Sequence, residues 1–362
     1  MTVVHLVYPY GNSIATPYTI SRHVADALRR SGYTVHQYQW DEKRTIPADP
    51  DEILLGHPHT EPMTIFRQSA RSGRWRRVIA MAPFNTDLKQ VAYLDPVLSS
   101  CDSFLAITGN YWMHNFVQSA VAHWKPKLIH LDLAVDRQDF PISKQNFRPP
   151  GQRKFLYIGH AGWYKNLPYL GQIARLLPEI EFAWIGRGKP VRGLKRLGSF
   201  DFAEESARAL VGQYDFMITV GKADANPTTI LEAMAWGLLP ICTAQSGYVD
   251  YPSIVNLPLS QSHEAVRILR ELEEVAEELL FARQKENWRL LDQHFNWNRF
   301  CQQVIAAIES NDTPALLPIS PWHQYRLRLA ASLSPNAPLG PRNLARQVYR
   351  VLRQMAGRKQ GH

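Results

Sequence analysis

Short apolar runs alternate with helical periodicities along this chain. Val3–Tyr8, Thr34–Gln39, Ile53–Gly56, Val78–Ala82, Phe104–Thr108 and Leu128–Leu133 read as strands. Helices are predicted over Tyr18–Arg30, ending at Gly32, around Met63–Ser72, and between the last two strands. Around 141–153 the text turns polar and proline-rich (Arg148-Pro-Pro-Gly-Gln-Arg153), which predicts a linker. A second alternation follows, with strands Phe155–Gly159, Phe182–Gly186, Phe216–Val220 and Leu238–Cys242. Its helices fall near 167–177, 202–213 and 227–236, then a long charged helix over 262–290 and a last helix of the body over 297–310. The pattern predicts an α/β protein of two doubly wound, parallel-sheet, Rossmann-like domains, 1–140 and 154–310, facing a cleft and followed by a tail, 311–362.

The stretch Asp224-Ala-Asn-Pro-Thr-Thr-Ile-Leu-Glu232-Ala-Met-Ala-Trp-Gly237 carries the most chemistry. Asn226 suits an N-cap, Pro227 the first helical position, and Gly237 the left-handed residue that ends a helix. The helix between is almost wholly apolar, with Glu232 its one charge. Set between two apolar strands it is expected to be buried, and a buried carboxylate needs a partner. The Thr228 and Thr229 amides belong to the first turn, where unpaired N–H groups and the helix dipole favour an anion. Glu232 follows on the same face. One surface can thus hold a phosphate and accept hydroxyl hydrogen bonds, which describes a nucleotide-sugar site.

Composition changes the picture in three ways. At 362 residues the chain has room for two full cores, and 45% apolar with 20% charged residues suits a globular protein. No run of 18 apolar residues appears, and Val3–Tyr8 follows Met1 without a signal-peptide pattern; with only three scattered cysteines, the expected compartment is the cytosol. The net charge of +9 is concentrated in residues 313–362, which hold eight Arg and Lys and no acid, leaving +1 for the rest.

The second half resembles the donor-binding domain of retaining glycosyltransferase family 4, of the GT-B fold. The family signature is two acids separated by seven residues, the second opening Glu-Ala-Met-Ala-x-Gly; here these are Asp224 and Glu232. The resemblance implies that Asp224 lies near the donor sugar, that Glu232 binds the ribose hydroxyls, and that amides around Asn226, Thr228 and Thr229 hold the distal phosphate. Tyr157-Ile-Gly-His160 with Lys165 resembles the Gly-Arg…Lys turn whose cations neutralise the donor pyrophosphate. His160 stands where the family has Arg, and a neutral imidazole offers less charge and no bidentate fork, so Arg187 becomes a candidate second cation. Gly186-Arg187-Gly188 resembles the turn near which the base stacks, and Gly11, after the first strand, one glycine of a phosphate-facing loop. His57 and His59 close a strand where the family contacts sugar and acceptor; His57 is the candidate catalytic histidine. Tyr214-Asp215 and Leu133-Ala-Val-Asp136 match family positions with structural roles.

The implied activity is metal-independent retaining transfer of a sugar from a nucleotide-sugar donor to a carbohydrate or lipid-linked acceptor, with no cofactor beyond the donor. A GT-B epimerase and a non-catalytic sugar-nucleotide-binding protein remain alternatives. Asp49-Pro-Asp51 precedes a strand and reads as a turn, and the 13 histidines show no metal-ligand spacing. In the tail, Pro341–Met355 predicts a basic amphipathic helix that lies on an anionic membrane surface, with a helix docked on the body or a disordered tail as the alternatives; Trp322 and Tyr325 beside Arg326 and Arg328 tilt the reading toward the membrane. Nucleic acid is disfavoured by the nearly neutral body.

Overall fold

The computed structural model describes residues 2–13, 15–61 and 63–333. They form two compact units. The first comprises the chain up to Ala106, Asn115–His130 and the described chain from Cys301; the second comprises Ile107–His114 and Leu131–Phe300. These limits differ from the predicted 1–140 and 154–310, because residues 107–114 and 131–140 pack in the second unit and 301–310 in the first.

The first unit is built on a six-stranded sheet of β1 (Val3–Val7), β2 (Thr34–Tyr38), β3 (Ile53–Gly56), β4 (Arg77–Pro83), β5 (Ser103–Ile107) and β6 (Leu128–Leu131), in the order β2-β1-β3-β4-β5-β6. β1 pairs in parallel with both β2 and β3, so the winding reverses beside β1. The helix Thr16–Arg30 crosses between β1 and β2 and buries Ile20, Val24 and Leu28. Phe66, Phe84, Phe104 and Trp124 fill the core, and Leu327 reaches it from a C-terminal helix, Pro321–Leu333, which the sequence pattern did not predict. The helix predicted at 341–355 lies outside the described residues. Asp49 accepts from the Asp51 amide at 2.8 Å, the turn expected there.

The second sheet contains β7 (Lys154–Ile158), β8 (Glu181–Ile185), β9 (Lys195–Gly198), β10 (Phe216–Thr219), β11 (Leu239–Thr243) and β12 (Val255–Leu257), all parallel, in the order β12-β11-β10-β7-β8-β9. The winding reverses between β7 and β10, the place where open α/β sheets bind ligands beyond their strand ends. Phe155 stacks between Phe182 and Phe216, with ring centroids 5.0 and 4.8 Å apart, and locks the three central strands together. β9 and β12 are short edge strands that the apolar pattern does not mark.

The proline-rich stretch predicted as a linker is packed inside this unit. Asp215, wholly buried before β10, accepts from Lys144 Nζ at 2.6 Å and from the amides of Arg148 and Lys154 at 2.9 Å each. Arg153, 1% exposed, donates to the carbonyls of Arg148, Leu272 and Val275. Those last two carbonyls lie where the predicted helix 262–290 divides into Ser262–Glu273 and Glu277–Gln293.

Removing one partner of a buried ion pair strands the other charge. Asp215→Ala is therefore expected to destabilise the protein by about 3–5 kcal/mol in urea unfolding. A loss near that of a surface substitution would show that Lys144 finds water instead.

Candidate functional site

The loops that leave β7 and β10 meet at the reversal of the second sheet. After β7 the chain runs through Gly159-His160-Ala161-Gly162, a single 3-10 turn Trp163–Lys165, and Asn166 in the left-handed region (φ 58°), before the helix Leu167–Leu176. After β10 it passes Gly221 and Asp224 into the helix Thr228–Trp236. The two loops are stitched by the Lys222 amide donating to Tyr164 O at 2.8 Å.

Across this junction Lys165 Nζ donates to Asp224 Oδ2 at 2.5 Å, both side chains being about one-eighth exposed. The strand-end loop of β11 fixes Asp224 from another side, its amide donating to Gln245 O at 3.2 Å, while Trp112 Nε1 donates to the Asp224 carbonyl at 3.3 Å. Glu232, partly exposed, lies on the same helix face as Thr228, whose side chain hydrogen-bonds its carboxyl. Burial pushes the Glu232 carboxyl above the ordinary carboxylate range, opposed by the Thr228 bond and the Lys165 charge. The helix tip with Thr228 and Thr229, the carboxylates of Asp224 and Glu232, and Lys165 thus form one cluster, as the sequence predicts.

Two expectations about this helix need correction. It begins at Thr228 with Pro227 as the cap, not with Asn226 as cap and Pro227 inside. Asn226 Oδ1 instead accepts from the Leu133 amide at 2.8 Å, because that buried N–H of the segment following β6 has to be satisfied. Asn226 Nδ2 is buried without a partner. The far end follows the prediction: Gly237 takes φ 94°, and a Cβ there would stand 2.8 Å from Lys144 O.

His160 does not replace the cation of an arginine. Its Nδ1 accepts from the Gly162 amide and its Nε2 bonds the Tyr164 hydroxyl, each at 2.9 Å, so the ring serves to shape the loop. Burial and the nearby Lys165 charge lower its pKa, which favours the neutral ring. Beside it lies an open pocket of about 500 Å³, lined by His160, Gly162, Pro168, Arg187, Lys189 and Val191 among others. Arg187 and Lys189 are exposed, and the Ala161 amide donates to Arg187 O at 3.0 Å, joining the loops after β7 and β8. That approach requires glycine at 186, where φ is 152° and a Cβ would fall 1.9 Å from Gly159 O. Lys189, Trp112, Tyr157 and Tyr164 were not singled out from the sequence; the two tyrosines lie close enough to Asp224 for its charge to raise their pKa values, after burial.

Gly11 and His57 belong to the first unit, in the segments after β1 and β3. Gly11 lies beside Tyr18, with φ 139°. His57, expected in a loop, is buried among Tyr8, Trp40 and Arg67, with Nδ1 unpartnered; its amide continues the β1–β3 ladder to Val7 O at 2.9 Å. Burial, with His59 and Arg67, lowers its pKa to about 3.

Two doubly wound parallel units in one chain define the GT-B fold. The chain aligns with sucrose-phosphate synthase from Thermosynechococcus elongatus (TM-score 0.61, 11% identity, 85% of this chain and 98% of that one). It aligns equally with an Escherichia coli trehalose-6-phosphate structure with bound UDP-2-fluoro glucose (0.61, 10%, 85% and 99%). WaaG, a glycosyltransferase involved in lipopolysaccharide biosynthesis, aligns at 0.53 and 14% identity over 85% of this chain and all of that one. No protein-family model and no curated protein sequence matches the chain.

His57 gives this description a solution test. With a native pKa near 3 against 6.5 unfolded, the unfolded chain binds the extra proton, so stability falls as pH drops from 6.5 toward 3. The slope from this group is at most about 1.4 kcal/mol per pH unit. His57→Gln should remove that part of the acid sensitivity in urea unfolding; parallel pH profiles for both proteins would contradict the buried, neutral ring.

Proposed function

We propose that the chain is a glycosyltransferase that moves a sugar from a nucleotide sugar to a carbohydrate or lipid-linked acceptor with retention of configuration. The observation that carries this reading is the Lys165–Asp224 pair set against the tip of the helix that bears Glu232. A diphosphate at that tip would meet the first-turn amides of Thr228 and Thr229 and draw Lys165 away from Asp224. As the bond to the sugar breaks, negative charge builds on the leaving phosphate and positive character on the sugar. Lys165 and the helix tip, already in place, stabilise the first charge as it develops, and Asp224 stands ready for the second. The leaving phosphate itself takes the acceptor proton, by analogy with family 4. Glu232 accepts from ribose hydroxyls, and its raised pKa fits a carboxyl that waits for such donors. Arg187 and Lys189 at the neighbouring pocket supply the cationic charge that His160 lacks.

Because Lys165 and backbone amides meet the developing charge, this reading assigns no metal to the step, and turnover should survive EDTA. The decisive experiment screens nucleotide sugars for donor hydrolysis, which needs no known acceptor. Lys165→Ala is expected to lower turnover by about 10²–10³-fold, the scale of losing one preorganised charge stabiliser. Glu232→Ala should mainly weaken donor binding by calorimetry. A nucleoside diphosphate that binds well while every sugar donor stays intact would favour the non-catalytic alternative, and variants as active as the parent would end the site assignment.

A further inference from the structure

The helix Pro321–Leu333 has two faces with different chemistry. One packs on the first unit: Leu327 is 1% exposed in the core, and His323 Nε2 bonds Ala120 O at 2.6 Å. The other carries Trp322, Tyr325, Arg326 and Leu329, spaced at three and four residues, so they form one stripe. Trp322, Tyr325 and Leu329 are 68%, 56% and 44% exposed, and the Trp322 and Tyr325 rings stack 5.6 Å apart. Large aromatics left in water at this density, on a helix already anchored from behind, form a surface built for contact.

The charge around the stripe selects the partner. Arg326 lies in it and Arg328 on its flank, and from residue 313 onward the sequence has basic residues and no acid. A separate pocket of about 450 Å³, lined by Asp95, Leu316, Leu317, Ile319 and Leu327 among others, opens beside Arg328. Trp and Tyr with arginine beside them suit the water–lipid boundary, where the rings sit at headgroup depth and the guanidinium groups meet phosphates. No helix among the described residues is long and apolar enough to cross a membrane, so such contact is peripheral. We infer that the outer face of the helix Pro321–Leu333 seats this protein on an anionic bilayer, with Trp322, Tyr325 and Leu329 entering the interface and Arg326 and Arg328 holding lipid phosphates.

The inference is independent of the sugar-nucleotide reading, and circular dichroism with urea unfolding of each variant serves as the control that the fold persists. Full-length protein would be sedimented with vesicles of phosphatidylcholine alone and of phosphatidylcholine mixed with phosphatidylglycerol, at low and high salt. The wild type is expected to bind the mixed vesicles, less so in high salt. Changing Trp322, Tyr325 and Leu329 together to Ser should lower partitioning at least about tenfold, because the interfacial side chains are lost. Arg326→Glu with Arg328→Glu should lower it as well and weaken its salt dependence. The proposal is overturned if the triple variant partitions like wild type, if neutral vesicles bind as well as anionic ones, or if the stripe proves by analytical ultracentrifugation to join two copies of the chain.

Discussion

The carboxylate of Asp215 sets the geometry of the second unit. It is wholly buried, yet it gathers an ammonium and two backbone amides, all from the single stretch 144–154. An apolar residue there would leave Lys144 and two N–H groups without partners in a dry environment, which is why a charge is retained. Its backbone also joins the sheet, donating to Lys154 O and accepting from the Leu239 amide. β7, β10 and β11 therefore start from one point. Strands that start together end together, and the loops carrying Lys165, Asp224 and Gln245 emerge at those ends.

Through that alignment the structure supports chemistry. Lys165 and Asp224 are 59 positions apart in sequence and neighbours because they follow adjacent parallel strands at the reversal of the winding. An ion pair that is only partly buried can be opened by a ligand with a stronger claim on the lysine, which a deeply buried pair such as Lys144–Asp215 resists. Under the proposed function, the contrast separates a pair kept for structure from one that exchanges its lysine with a ligand. His160 falls on the structural side, because both ring nitrogens are committed to its own loop.

Strand positions and the helix Thr228–Trp236 were legible because local signals and tertiary context agree there: apolar runs mark buried parallel strands, and Gly237 marks a stop. What escaped depends on partners distant in sequence. A continuous charged periodicity is interrupted where Arg153 binds the carbonyls of Leu272 and Val275, and nothing near residue 275 announces it. Asn226 has every local qualification of an N-cap, but a buried amide at Leu133 claims its oxygen. β9 buries no residue and β12 is only three residues long, so neither edge strand makes an apolar run. The grouping of Lys165, Asp224 and Glu232 was implied by the resemblance to family 4, whereas Tyr157, Tyr164 and Trp112 became neighbours of Asp224 only through the fold.

The interleaving of the two units has a consequence for how the chain is made. Part of the second unit, Ile107–His114, is encoded within the first, and the first is completed only by the residues after Cys301. Arg77 donates to Ser310 O, and the Leu317 amide donates to His123 O. A ribosome thus releases the partners of the opening unit last, and that unit waits with Leu327 missing from its core while the central unit is synthesised. Neither unit is a contiguous cassette, so a cut anywhere near the proline-rich stretch divides the molecule into two fragments that each lack part of their own unit and carry part of the other's.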